Sequence, residues 1–196
     1  MLRPLVAMVV AIGLLVPAMP GQTMAQKVKD APAKKELRKP DVIYVPTPHE
    51  VVKKMLDMAK VKKGEVVYDL GCGDGRIVVA AAKRGAKATG WDIDPERIKE
   101  ANANVKENKV EVNAKIIHGD IFTLDLSGAN VITLYLLPSL NVKLIPQLEK
   151  LKPGSRIVSH DFDMEGVKPA KTVEVTTDDG DSHTVYLWIA PIKKEK

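Results

Sequence analysis

The chain has 196 residues, 45% of them hydrophobic, and its 30 Lys and Arg residues outnumber its 25 Asp and Glu residues, which gives a formal net charge of +5. The length predicts a single domain, on a prior of about 150 residues per domain, and the apolar fraction is sufficient for one core. Aromatic residues make up 4% of the chain, too few for the base-stacking surfaces that bind single-stranded nucleic acid. The basic residues are scattered in pairs, so nucleic acid is not expected as a partner, although the positive charge gives a weak preference for acidic partners.

The first 25 residues have the pattern of a secretory signal peptide. Arg3 precedes an apolar stretch at residues 5–16, and a small-residue cleavage site ends at Ala25. The apolar stretch is shorter than the ~20 residues that a membrane span needs. We therefore expect cleavage after Ala25 and export to the periplasm or cell surface. Two alternatives stay open: an inner-membrane anchor with a cytoplasmic domain, which the Lys/Arg-rich segment 27–39 favours, and an organellar presequence.

Residues 26–40 are polar and rich in Lys and Arg, which predicts a flexible linker in front of a folded domain at residues 41–196. Near its start, Thr47 and Pro48 have the residue types of a helix N-cap and of a first helical position. A helix with one apolar side follows, and Gly64 ends it. This apolar side consists of Val51, Val52, Met55, Leu56, Met58 and Ala59.

Segment 66–76 carries the most informative motif of the chain. An apolar strand leads into a loop in which every second residue is glycine, and an apolar helical start follows at residues 77–82. Glycine at alternate positions lets the backbone turn sharply and approach a ligand closely. The glycines are Gly71, Gly73 and Gly75.

The spacing and charge of this loop distinguish between two classes of ligand. A dinucleotide-binding loop has the pattern G-x-G-x-x-G, and Arg76 stands where its third glycine would be. Asp69 precedes the loop and Asp74 lies within it. These carboxylates would repel a pyrophosphate, but they suit a ligand that carries an ammonium and a sulfonium group, such as S-adenosylmethionine.

The next two strands also end in acidic residues. The strand at 87–92 ends at Asp92, where a carboxylate can accept hydrogen bonds from both hydroxyls of a ribose. Asp94 and Pro95 then have the types of an N-cap and a first helical residue.

A third strand at residues 114–118 leads to Asp120, which can accept a hydrogen bond from the exocyclic amine of an adenine. Ile93 and Ile121 are predicted to enclose the adenine ring between them.

The second half of the domain completes a sheet. The continuous apolar run at 131–136 predicts a strand buried on both faces, a helix follows at 138–151, and a fifth strand lies at 156–160. Alternating segments at 171–176 and 184–190 predict a hairpin. We therefore expect an α/β fold: five βα units in a Rossmann-like, doubly wound sheet of seven strands, mostly parallel, with an antiparallel C-terminal hairpin.

On these motifs, residues 64–160 resemble the class I, seven-strand S-adenosylmethionine-dependent methyltransferases. The glycine loop, Asp92 and Asp120 match the family's first motif, its ribose-binding acid and its adenine-binding acid. Together with the segment Tyr-Val-Pro-Thr-Pro at 44–48, the chain is similar to small protein-lysine methyltransferases, among them mitochondrial enzymes that modify the adenine nucleotide carrier. The resemblance implies S-adenosylmethionine as cofactor and S-adenosylhomocysteine as product. The cofactor-binding residues are then Asp69, Gly71, Cys72, Gly73, Gly75, Asp92, Ile93, Asp120 and Ile121.

The catalytic residues are less evident. The fourth strand ends in Tyr-Leu-Leu-Pro at 135–138, not in the Asn/Asp-Pro-Pro-Tyr tetrapeptide of amino-group methyltransferases that act on nucleobases and glutamine, which argues against a DNA adenine methyltransferase. His160 can serve as a base at neutral pH or as a structural histidine, and His49 and His183 are expected at the surface. No metal site is expected, because histidines and acids show no ligand spacing. The catalytic candidates are Tyr44, His160 and Asp161, with Tyr135 and Asp163 beside them.

The resemblance predicts a monomeric enzyme that transfers a methyl group to a protein lysine. The alternatives are a small-molecule methyltransferase and a non-catalytic protein that binds an adenosyl ligand. Export also conflicts with this function, because S-adenosylmethionine is made and used in the cytosol. An inner-membrane anchor, a scavenged adenosyl ligand or a misassigned start would each resolve the conflict.

Overall fold

A computed structural model describes residues 37–194. The predictions for the leader at 1–25 and for most of the linker at 26–40 lie outside the described residues. The described helices are α1 His49–Met58, α2 Arg76–Lys83, α3 Pro95–Glu107 and α4 Pro138–Leu148. The strands are β1 Val66–Leu70, β2 Lys87–Asp92, β3 Ala114–His118, β4 Val131–Leu134, β5 Arg156–His160, β6 Lys171–Thr176 and β7 Ser182–Ile189.

The seven strands form one sheet in the order β3-β2-β1-β4-β5-β7-β6. The first five strands are parallel to their neighbours, whereas β7 runs antiparallel to both β5 and β6. The prediction of a mostly parallel α/β sheet with an antiparallel C-terminal hairpin is therefore confirmed.

Helices cover the sheet on both faces. All four residues of β4 are buried, and neighbouring positions contribute to opposite cores: Val131 packs on the side of α1 and α2, and Ile132 on the side of α4. This alternation follows from the period of two along a strand. It confirms the prediction that the fourth strand is buried on both faces.

Several boundaries differ from the prediction. β4 ends at Leu134 rather than at 136, because the chain leaves the sheet to line a pocket with Leu136. The plan of five βα units is wrong: β3 is followed by a 3₁₀ turn at Ile121–Thr123, and β5 leads to β6 without an intervening helix in the described chain. Helix α4 ends at Leu148, and β7 begins at Ser182.

The two predicted helix starts have different outcomes. Asp94 is the N-cap of α3, where its side chain accepts a hydrogen bond from the Glu96 N–H, and Pro95 is the first helical residue, as predicted. The N-cap of α1, however, is Pro48 and not Thr47. Within residues 37–194, no helix combines the length and apolar character that crossing a membrane requires.

Candidate active site

The carboxyl ends of β1 and β2 open into a pocket. Asp69 of β1 is in register with Gly90 of β2 and Thr133 of β4, so the ends of these parallel strands lie at one edge of the sheet. The pocket at this edge has an empty volume of about 910 Å³, part of it open to solvent. Seven of the predicted site residues line it: Tyr44, Asp69, Gly71, Cys72, Asp92, Ile93 and Ile121.

The other five predicted site residues are not among the described residues that line the pocket. They are Gly73, Gly75, Asp120, His160 and Asp161. Each of them has protein neighbours that account for its position, as the following contacts show.

The glycine loop is held by the end of β2 and by packing against neighbouring elements. The backbone N–H groups of Gly71 and Cys72 both donate to the Trp91 carbonyl at 2.9 Å. Gly75 is the N-cap of α2 with φ +78°, and a Cβ there would lie 3.0 Å from the Cβ of Ala101 in α3. Glycine at 75 is thus required by a left-handed backbone and by close helix packing.

Gly73 differs from our prediction. We expected the space beside it to belong to the cofactor, but a Cβ at this position would lie 2.2 Å from Cε2 of Tyr44. The tyrosine ring occupies that space, so glycine at 73 is explained by the packing of Tyr44.

Asp69 is the buried charge of the site. Its side chain accepts a hydrogen bond of 2.6 Å from the Thr133 hydroxyl at Oδ1, and among the described residues Oδ2 has no donor. Burial raises the pKa of Asp69 to about 7, with the Asp92 and Asp74 charges adding to the effect. A buried carboxylate oxygen without a donor fits a ligand that brings a positively charged ammonium group.

Asp92 connects the two loops at the strand ends. Its Oδ2 accepts from the Gly73 N–H at 2.8 Å, and its Oδ1 accepts from the Asp94 N–H at 2.9 Å. Each carboxylate oxygen has a second lone pair, so the side chain can hold the glycine loop and still accept hydroxyl groups from the pocket. The role of Asp92 in binding a ribose stays a prediction.

Asp120 is paired with an arginine that the sequence did not point to. Arg38 donates to it from Nε at 2.7 Å and from Nη2 at 3.2 Å. This ion pair, together with the hydrogen bond from the Phe122 N–H, holds the pKa of Asp120 below its usual value. The role of Asp120 as an acceptor for adenine stays a prediction, and Arg38 would compete for the same oxygens.

The segment before α1 covers the glycine loop. Tyr44 packs on Gly73, and the Arg97 guanidinium lies 4.8 Å from the centroid of the tyrosine ring. The Tyr44 hydroxyl is buried and has no hydrogen-bond partner among the described residues. Arg76 fixes the segment from below, because it donates to the Thr47 carbonyl at 2.8 Å while Asp74 holds its guanidinium.

His160 is fully buried at the end of β5. Its Nδ1 lies 3.1 Å from Oγ1 of Thr47, and its ring centroid lies 3.9 Å from that of Tyr135. Burial lowers the pKa of His160 to about 4. A general base must reach its substrate within hydrogen-bond distance, and it is Thr47 and Tyr135 that line the pocket here. These contacts favour the structural role of the two that the sequence left open.

Asp161 and His183 lie beside His160. Asp161 has a φ of +55°, and its Oδ2 is 3.0 Å from Nδ1 of His183. The prediction that His183 lies at the surface is wrong, because its side chain is 18% exposed and contacts both neighbours. The antiparallel register of β5 and β7 brings these residues together.

Sequence reasoning missed three residues that organise the pocket. Arg38 lies in a segment that we interpreted as linker, and the Lys/Arg-rich composition there hides its specific contact. Thr47 was predicted to cap a helix but contacts His160 instead. Arg76 gave the one usable signal, since a charged residue directly after the glycine motif begins an otherwise apolar helix.

Comparison with known proteins gives consistent matches. A family model described as the ANTKMT methyltransferase domain matches residues 69–171. The chain is 50% identical over 154 residues to a protein-lysine N-methyltransferase of Saccharolobus islandicus, which covers 76% of this chain and 94% of that protein. It is 28% identical to a human lysine N-methyltransferase named for ATP synthase, over 64% of this chain and 54% of that protein. The chain thus spans about half the length of the human relative.

A solved structure extends the similarity to three dimensions. An RNA methyltransferase from Salinibacter ruber, in complex with S-adenosyl-L-homocysteine, has 48% sequence identity and a TM-score of 0.69. The match covers 74% of this chain and 93% of that one.

Proposed function

The chain belongs to the family of the ANTKMT methyltransferase domain and is an S-adenosylmethionine-dependent methyltransferase, and from this premise we propose that its methyl acceptor is the side-chain amine of a protein lysine. The observation that carries the proposal is the 50% identity to a protein-lysine N-methyltransferase across 94% of that relative. A match over nearly the whole relative includes the parts that face the acceptor as well as those that face the cofactor.

The strand ends fit the cofactor. S-adenosylmethionine supplies an electrophilic methyl group on a sulfonium, together with an ammonium and a ribose. Asp69 offers a buried carboxylate oxygen that has no other donor in the described chain, which suits the ammonium. Asp92 stands at the end of the neighbouring strand with lone pairs for the ribose hydroxyls.

On the acceptor side, the chain contributes positioning rather than proton transfer. Burial raises the pKa of Tyr44 to about 12 and also raises that of Tyr135. Both phenols therefore stay protonated at neutral pH and form aromatic walls of the pocket. Holding a neutral amine in line with the methyl group accounts for a large part of such a barrier, since well-oriented reactants gain about 7–11 kcal/mol.

The pocket mouth favours a protein over a small polar molecule. Ile43 and Val45 line the pocket and are 91% and 57% exposed, and Leu137 is 44% exposed next to the lining residue Leu136. Grouped apolar side chains at the mouth of a site are typical of surfaces that contact a protein. A small-molecule acceptor would leave them unused.

RNA is the second candidate acceptor, because the Salinibacter ruber structure with 48% identity is described as an RNA methyltransferase. Only 4% of residues are aromatic, which weakens this alternative, since recognition of single-stranded RNA relies on aromatic side chains that stack on bases.

The experiment that separates these acceptors uses labelled S-adenosylmethionine and three pools: proteins, RNA and small metabolites from the source cells. We expect label in protein, as methyl-lysine after acid hydrolysis, and none with the Asp69→Asn variant. Label confined to RNA or to metabolites would overturn the lysine assignment while leaving the methyltransferase activity in place.

Placement and assembly belong to the same proposal. Residues 1–25 lie outside the described residues, and their sequence pattern supports export, with an inner-membrane anchor and a cytoplasmic catalytic domain as the alternative. The anchor has the advantage that it keeps the enzyme beside cytosolic S-adenosylmethionine. We propose a monomer as the active form.

A further inference from the structure

Three potential metal ligands converge beside the pocket. His160 ends β5, Asp161 follows it, and His183 is the second residue of the antiparallel strand β7. Nε2 of His160 lies 3.0 Å from Nδ1 of His183 and 3.2 Å from Oδ2 of Asp161, and the last two atoms are 3.0 Å apart. We refer to these three residues as the β5–β7 triad.

Hydrogen bonding alone does not satisfy this triangle. A neutral His183 carries at most one proton on Nδ1, and this atom contacts both other members of the triad. One proton can serve one of the two contacts. The third side of the triangle, between His160 and Asp161, does not have hydrogen-bond geometry, although its atoms are 3.2 Å apart. Three electron-pair donors therefore face a common point.

The triad is held in place by further contacts. Asp161 adopts a φ of +55°, an uncommon conformation for a non-glycine residue that often marks functional sites. Its Oδ1 accepts from the Thr184 N–H at 2.8 Å, and its own N–H donates to the Thr184 carbonyl at 2.7 Å. Nδ1 of His160 lies 3.1 Å from the Thr47 hydroxyl. A polar partner on the second ring nitrogen is the usual arrangement for metal-binding histidines.

The spacing fits a metal ion. Ligand atoms bound at about 2.0–2.1 Å in a tetrahedron lie about 3.3 Å from one another, and the observed separations are 3.0, 3.0 and 3.2 Å. We propose that the β5–β7 triad binds a first-row divalent metal ion, with Zn²⁺ as the reference ion. Two imidazoles and one carboxylate are a common ligand set for such ions, and it leaves a coordination position open. Asp161 and His183 are 27% and 18% exposed, so an ion and a water have access.

The sequence did not predict this site because its ligands follow no local motif. Two of them are adjacent, and the third arrives through the register of the C-terminal hairpin. The site would act on the pocket from behind, because Thr47 and Tyr135 both contact His160 and both line the pocket. A bound ion would tie the segment before α1 to β5 and β7.

The test is Zn²⁺ binding by the whole protein, measured by competition with a chromogenic chelator and by metal analysis after dialysis. We expect one Zn²⁺ per chain in the unaltered protein, and at least a tenfold weaker affinity in His183→Ala and Asp161→Asn. His49→Ala is the matched control, because His49 is an exposed histidine at the start of α1 outside the triad, and it should bind like the unaltered protein. Co²⁺ should give visible absorption bands that both triad variants lose.

Two controls keep the outcomes distinct. The circular dichroism of metal-free His183→Ala should match that of the metal-free unaltered protein, and Zn²⁺ should raise the melting temperature of the latter only, since an ion that binds the folded state stabilises it. If His183→Ala misfolds, Asp161→Asn supplies the comparison, because Asn tolerates a positive φ. Equal Zn²⁺ affinity in the unaltered protein and both triad variants would overturn the proposal, whatever the methyl acceptor is.

Discussion

The ring of Tyr44 lies directly on Gly73, so that a Cβ on the glycine would come within 2.2 Å of the tyrosine ring. This contact joins the segment before α1 to the glycine loop of the cofactor site. A substitution at either residue should therefore affect the other.

Gly73→Ala should destabilise the protein by two separate effects, which a second substitution can separate. A left-handed backbone costs a non-glycine residue about 1–2 kcal/mol, and the clash with Tyr44 adds to this. In a Tyr44→Ala background the clash is absent, so only the backbone cost should remain. The measurement is the free energy of unfolding in urea for the single and double variants.

Gly180→Ala is the matched control for this cycle. Gly180 has a φ of +92° and no atom within 4 Å of a Cβ, so its cost should be the same with or without Tyr44. If Gly73→Ala also costs the same in both backgrounds, the packing of Tyr44 on Gly73 does not contribute to stability.

Asp92→Ala should weaken the binding of S-adenosylmethionine by about 1.5–3 kcal/mol, or roughly 10- to 150-fold. The variant loses the predicted ribose acceptor and also the hydrogen bond that holds the Gly73 N–H. Titration calorimetry measures the change. Asp125→Ala should leave the affinity unchanged, because Asp125 is exposed and accepts from the Ser127 N–H. Equal affinity in the Asp92 and Asp125 variants would exclude Asp92 from the site.

The affinity for S-adenosylmethionine should depend on pH through Asp69. Burial raises the pKa of this carboxyl to about 7, whereas the ligand's ammonium favours the ionised form. Binding below pH 7 must therefore release a proton, and the affinity should fall by up to about tenfold per pH unit. The ratio of affinities between the unaltered protein and Asp69→Asn isolates this effect. A ratio that is constant from pH 5 to pH 8 would show that Asp69 does not ionise on binding.

The same proton affects stability in the opposite direction. The usual pKa of this carboxyl is 3.8, and folding raises it to about 7, so between these values the folded state holds a proton that the unfolded state has released. The contribution to stability is complete below about pH 4 and is lost as the pH rises towards about 7. Asp69→Asn should lose less of its unfolding free energy than the unaltered protein over this window.

Arg38→Ala and Asp120→Ala should have similar effects on cofactor affinity. The ion pair is partly exposed, so its loss should cost about 0.5–1 kcal/mol, or roughly two- to fivefold. If Asp120 acts through Arg38, the double variant should be no worse than either single variant. A larger loss in Asp120→Ala than in Arg38→Ala would instead support direct contact between Asp120 and the adenine.

The elements that the sequence predicted well are those with local signals. Strands β2, β3 and β5 have their predicted bounds, since apolar residues and an acidic or turn residue at the end mark each of them. The N-cap Asp94 was predictable because its hydrogen bond lies within the first helical turn. These features depend on neighbours within a few residues.

The contacts that were not predicted join residues far apart in sequence. Arg38 reaches Asp120 over 82 positions, and Thr47 reaches His160 over 113. His183 meets His160 only through the register of an antiparallel pair. No local pattern carries such contacts, because they depend on how the finished sheet aligns its strands.

The last prediction concerns the mature N-terminus. The apolar stretch at residues 5–16 is short for a membrane span and is followed by a small-residue site, so we expect a signal peptidase to cleave after Ala25. Mass spectrometry of the protein purified from its source should then find a chain that begins at Gln26, in the periplasmic or surface fraction. The control is an Ala25→Arg variant, which should block cleavage because the site requires a small residue. An intact Met1 in the membrane fraction would reject cleavage and support the anchor, in which the Lys/Arg-rich segment 27–39 remains on the cytoplasmic side, where such segments are enriched.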